Sequence, residues 1–194
     1  RVASRCDKSM TPTLTALLEF DSAHQKGPAK LADLGMTLLT PPERAWCSDT
    51  PKNGRVFATT GGDSVHFCLL EMSGQLTDKS PVVMVVPCNS TAPRLVVGDS
   101  LREFLSLGST IGFFFLEQLT YDFDKTLCYL FNYDAFIQHN FFGEEPPEDE
   151  LDGLQAQRVL LAALAAKFDL KPWPDARAKF DAMQLKWAAQ MDLA

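Results

Sequence analysis

The residues best suited to chemistry lie between Phe57 and Phe67, in FATTGGDSVHF, where two glycines, an acid and a histidine sit between apolar runs. Such parts serve in a phosphate cradle or an acid–histidine pair, or they form a tight turn between strands. A P-loop needs a Lys and a Ser/Thr on phosphate and magnesium, and a dinucleotide loop needs G-x-G-x-x-G running into a helix. TTGGDS supplies neither. Strand-like runs flank it on both sides, so it reads as a hairpin in which Gly61 and Gly62 take the positive φ values such turns demand. Asp63 and His66 stand three apart at the start of a strand, which sends their side chains to opposite faces. Cys68 shares a face with His66, roughly 7 Å away by the strand rise, so a thiol activated by that imidazole is strained but conceivable. The structural alternative for His66 is a buried, hydrogen-bonded side chain beside Cys68, Leu70 and Met72. Gly61, Gly62, Asp63 and His66 are the candidate binding residues of this turn, and Gly61, Asp63 and His66 would mark the site of a small enzyme.

The remaining nucleophiles and ligands are scattered. His24 and His139 complete no HxxxH or HxH pattern, and Cys6, Cys47, Cys68, Cys88 and Cys128 form an odd set without CxxC spacing. No metal or cofactor is expected, and free thiols fit a reducing cytoplasm. A glycosidase-type carboxylate pair stays open, although most acids fall in one run or at helix caps. That run, Glu144 to Asp152, carries six acids of a chain whose net charge is −7, and the rest is close to neutral. With no basic stripe and no Arg or Lys interleaved with aromatics, nucleic acid is not an expected partner. No apolar run approaches the ~18 residues of a membrane span, and no signal-peptide pattern is present.

At 194 residues the chain can bury roughly 70% of its unfolded surface without disulfide or metal staples. Arg1–Ser9 is expected to be a disordered arm, with Met10 near the natural start. Thr11 as N-cap, Pro12 as first helical residue, and Leu14, Leu17 and Leu18 predict a helix to about His24. AKLADLG predicts a short helix closed by Gly35, and TPPERAWCSDTPKNG a long irregular connection outside the core. Arg55–Thr60 and Val65–Met72 predict strands, the second apolar on both faces. VVMVVP after Pro81 predicts the central strand, and Arg94–Val97 a shorter one. GDSLREFLSLG predicts a helix with a Ser100/Glu103 capping box, an apolar face of Leu101, Phe104 and Leu105, and Gly108 as its stop. STIGFFFLEQLTYD predicts another helix with Phe114, Phe115 and Leu119 toward the sheet, while KTLCYLFNYDAF is ambiguous between helix and strand. Past the acidic connector, Leu154, Leu161, Leu164 and Phe168 mark a helix; DLKPWP ends it, and Trp173, Phe180, Met183 and Trp187 share one side of the last. Trp173, Phe180 and Trp187 are candidate partner or oligomer contacts, and this hairpin is expected to dock rather than stay free.

The order of VFATTGGDSVHFCLL, PVVMVVP and LVVGDSLREFLSLG resembles the SUKH superfamily, which comprises bacterial toxin-immunity proteins and fungal cell-wall-assembly regulators. The likeness spans roughly Pro28 to Phe142, and its best part is GDSLREFL, with Ser100, Leu101, Phe104 and Leu105 at matching places. It implies an α+β fold: a single mixed, mainly antiparallel sheet flanked by helices over residues 1–143. Residues 144–194 then form an acidic connector and a C-terminal helical hairpin. It also implies a non-enzymatic module that works in the cytoplasm by binding a protein partner, in the immunity case a bacterial toxin, and it carries over no catalytic residue. Two other functions stay open: a small intracellular enzyme at the turn, and a regulatory or scaffold protein that forms homo-oligomers through the hairpin.

Overall fold

The computed structural model describes residues 10–44 and 46–191, so the expected arm over Arg1–Ser9 lies outside the described residues. Helix α1 (Pro12–His24) begins at Thr11, whose hydroxyl accepts from the Leu14 N–H at 3.2 Å, and Pro12 sits in the first turn, where its missing N–H is no loss. Leu14, Leu17 and Phe20 form its buried stripe. AKLADLG makes a 3₁₀ turn, Leu31–Leu34, closed by Gly35.

Five strands follow: β1 (Thr37–Glu43), β2 (Gly54–Thr59), β3 (His66–Leu70), β4 (Val82–Val85) and β5 (Arg94–Gly98). They lie side by side in chain order and every pairing is antiparallel. The α+β expectation holds, with an antiparallel sheet in place of a mixed one and two further corrections. The connection read as irregular begins with strand β1, and Pro41 and Pro42 are tolerated because β1 is an edge strand whose register slips between Leu38 and Glu43. The centre of the sheet is β3, not β4, and every residue of both strands is buried.

Each face of the sheet has its own cover. Phe57 and Phe67 meet Phe104 of α2 (Leu101–Gly108), with ring centroids 5.8 and 4.8 Å apart. On the other face, Trp46, Asp49 and Thr50 of the long connection reach His66 and Arg94. The Ser100 hydroxyl caps α2 by accepting from the Glu103 N–H at 3.2 Å. The capping box is only half made, because the Glu103 carboxylate pairs with Lys179 instead. Gly108 is the last residue of α2 but not its cap, which is Ser109; glycine is needed there for space, because a Cβ would lie 2.2 Å from the Phe113 ring.

STIGFFFLEQLTYD folds as a 3₁₀ helix, Phe114–Thr120, that buries Leu116 and Leu119 and leaves Phe114 46% exposed. Phe113, the residue before this helix, takes the core position, and the ~120° step per residue of the 3₁₀ helix leaves Phe114 outward while Leu116 and Leu119 face in. The ambiguous stretch contributes to two short helices, α3 (Phe123–Tyr129) and α4 (Tyr133–Asn140), capped by Asp122 and Asn132. The acidic run opens α5 (Glu148–Phe168), where three acids in the first turn favour the helix dipole, and α6 (Ala176–Trp187) returns along β5. Leu160, Leu161, Leu164, Phe168, Phe180 and Met183 join the same hydrophobic cluster as the sheet.

Candidate binding site

The turn at Gly61 is a turn. Gly61 has φ 85° with open space where a side chain would point, so only the backbone conformation calls for glycine there. Gly62 does not take the positive φ expected of it; Asp63 and Ser64 do, with φ 46° and 59°, and the loop closes by a Val65 N–H to Gly62 carbonyl bond of 3.0 Å. Gly62 leans toward the Phe114 ring, and Asp63 is exposed. Asp63 lies near Glu117, whose carboxyl is raised above its ordinary value by burial and then by that neighbouring charge.

His66 has left this surface and is fully buried. Its Nδ1–H donates to the Ser64 carbonyl at 2.8 Å, and its Nε2 accepts from the Thr50 hydroxyl at 2.9 Å, with the Trp46 ring tilted against it, centroids 5.5 Å apart. Both ring nitrogens are satisfied. Burial lowers the imidazole pKa against the opposing effects of the Ser64 carbonyl and Asp49, so the ring is neutral at pH 7. Cys68 is fully buried, its Sγ–H aimed at the Val83 carbonyl 3.6 Å away, and burial pushes its thiol up to about 12. A thiol held there is protonated at neutral pH and cannot serve as a nucleophile. Gly61 and Asp63 therefore face solvent, Gly62 is half-buried, and His66 serves the core.

The hairpin aromatics also turn inward. Trp173 and Phe180 are 6% and 1% exposed and pack on each other at 5.2 Å, with Phe123 of α3 beside Phe180. Trp187 is half-buried, and its indole N–H donates to the Asp99 carboxylate, which also takes a bond from Lys186. Burial alone would raise the Asp99 carboxyl; those two bonds, together with the charges of Lys186 and Lys179, outweigh it and hold it below its ordinary value. Gln184 brackets the outer edge of β5: it accepts from the Val96 N–H at 3.1 Å and donates to the Val96 carbonyl at 2.9 Å.

A concave surface lies elsewhere, where α4 meets the acidic run and the first half of α5. A groove of about 400 Å³ has Tyr133, Ile137, Leu151 and Leu154 on its walls and Glu144 and Glu145 on its rim. A second, of about 260 Å³, adjoins it across Leu154 and is lined by Ile111, Phe115, Phe136 and Phe141. Leu151 is 47% exposed and Phe142 95%. Sequence reasoning read this stretch as a connector and missed the site. The legible signal was the abrupt junction of FFG with six acids, which places large apolar groups beside a cluster of negative charge.

Among the described residues no three His, Cys, Asp or Glu side chains gather as a metal-ligand set, and no helix is long and apolar enough to cross a membrane. No family model, curated protein or solved structure matches this chain.

Proposed function

We propose that the chain is a non-enzymatic protein-binding module of the cytoplasm, and specifically an immunity-type protein that neutralises a bacterial toxin by direct binding. The observation that carries this reading is the pair of adjoining apolar grooves with an acidic rim and water-exposed Phe142 and Leu151. Exposed apolar groups gathered at concavities mark interaction surfaces, and complementary charge speeds and selects the encounter. The resemblance of GDSLREFL and its preceding strands to immunity proteins gives the specific form. The saturated hydrogen bonding of His66 and the buried Cys68 favour binding over catalysis at the turn.

The test is co-expression with the product of an adjoining gene that is toxic when expressed alone. Restored growth together with a stoichiometric complex on size-exclusion chromatography supports the proposal. Restored growth without a complex, or turnover of the toxin by catalytic amounts of this chain, overturns it. Self-association through α6 is a second reading, favoured by Leu185, which is 86% exposed on that helix; a monomer at high concentration removes it.

A further inference from the structure

We infer that the face around Phe142 is the docking site for a cationic amphipathic helix of a protein partner, an inference that rests on the protein-binding reading above. Phe142 follows α4 with φ 55° and is 95% exposed. The Gly143 N–H bonds back to the Gln138 carbonyl at 2.8 Å, which makes Phe142 the residue that turns the chain out of the helix. Glycine is the usual occupant of that position, because an L side chain in the left-handed region crowds its own carbonyl. A phenylalanine there is strained in its backbone and buries almost nothing within its own chain. Phe141 lines one groove and Gly143 the other, so Phe142 sits in the chain between residues of the two. An aromatic anchor flanked by apolar grooves is the usual composition of an interface hot spot.

The charges select the occupant. Asp33, Asp134, Glu144, Glu145 and Glu150 line the two grooves against one cation, Arg158, whose guanidinium lies 4.5 Å above the Tyr133 ring. A second copy of this chain would set acid against acid, and an anionic peptide would do the same. A helix with Leu or Phe on one stripe and Lys or Arg on its flanks matches both the apolar floor and the rim. Two adjoining grooves suit apolar residues from successive turns of such a helix.

The experiment uses the full chain with a Leu/Lys amphipathic helix of about 20 residues and its Leu/Glu counterpart, read by amide NMR shift mapping and calorimetry. Expected are shifts confined to α4 and the first half of α5, binding that weakens with added salt, and no binding of the Leu/Glu helix. In Phe142→Gly the affinity should fall about tenfold or more, while the melting temperature rises by about 2–8 °C. Binding undiminished in Phe142→Gly, shifts on another face, equal binding of the Leu/Glu helix, or no binding of the Leu/Lys helix overturns the inference. Any of those results leaves the protein-binding reading to its own co-expression test. Failure of that test with the Leu/Lys helix still seated at Phe142 would remove the immunity reading and keep this face.

Discussion

Removing the Gln184 amide tests how the hairpin is held. Gln184 supplies both hydrogen bonds to Val96, the N–H at 3.1 Å and the carbonyl at 2.9 Å, where the outer edge of β5 would otherwise need water or another strand. Each neutral bond contributes a net ~0.5–1.5 kcal/mol, so Gln184→Ala should cost about 1–3 kcal/mol. In a chain of this size each kcal/mol moves the melting temperature by ~2–4 °C, so a drop of roughly 2–12 °C is expected. Gln184→Glu keeps an acceptor for the Val96 N–H but sets a carboxylate against the Val96 carbonyl, and should fall in the same direction. Leu185→Ala, one residue along and 86% exposed, should stay within ~0.5 kcal/mol of the parent. Thermal and urea denaturation measure all three. A Gln184→Ala protein as stable as the Leu185→Ala control would refute the idea that this amide fastens α6 to the sheet.

Burial of His66 makes stability depend on pH. Below the ordinary imidazole value of 6.5 the unfolded chain takes up a proton that the folded ring, with its lowered pKa, does not. Stability should therefore be full above that pH and decline as pH falls toward the folded value, with His66→Gln flattening this part of a stability-against-pH curve. Two glycines of opposite kind give a paired check. Gly108→Ala drives a methyl to within 2.2 Å of the Phe113 ring and should cost about 1–3 kcal/mol. Gly153→Ala, in the interior of α5 with open space around it, should stabilise by ~0.5–1 kcal/mol. Opposite shifts in urea midpoint are expected, and shifts of the same sign would contradict this reading of the packing.

Much of the fold was legible because local and long-range signals agreed. Thr11 and Ser100 act as caps where the sequence placed them, and the doubly apolar run at β3 is buried on both faces. What was missed has physical causes. Pro41 and Pro42 argue against a strand only where both neighbours need N–H groups, and an edge with a slipped register does not. Phe114 looked inward by helical spacing, but a 3₁₀ helix has a different period and the core position had already gone to Phe113. The turn at Gly61 was legible as a turn. His66 drew attention as chemistry, yet it is a buried, satisfied side chain, and one of its two partners is Thr50, in a connection that sequence spacing could not fold back over the sheet. The groove was hidden for a related reason: acids that open a helix look like solvated capping residues until α4 is set beside them.

Hydrogen–deuterium exchange on the chain alone and in complex with its captured protein partner asks most directly whether this is a binding module that works through the acid-rimmed face. Slowed exchange over α4 and the first half of α5, with Gly61–His66 unchanged, is the result expected. Protection centred on the Gly61–His66 turn, with exchange across residues 133–158 unaltered, would contradict it.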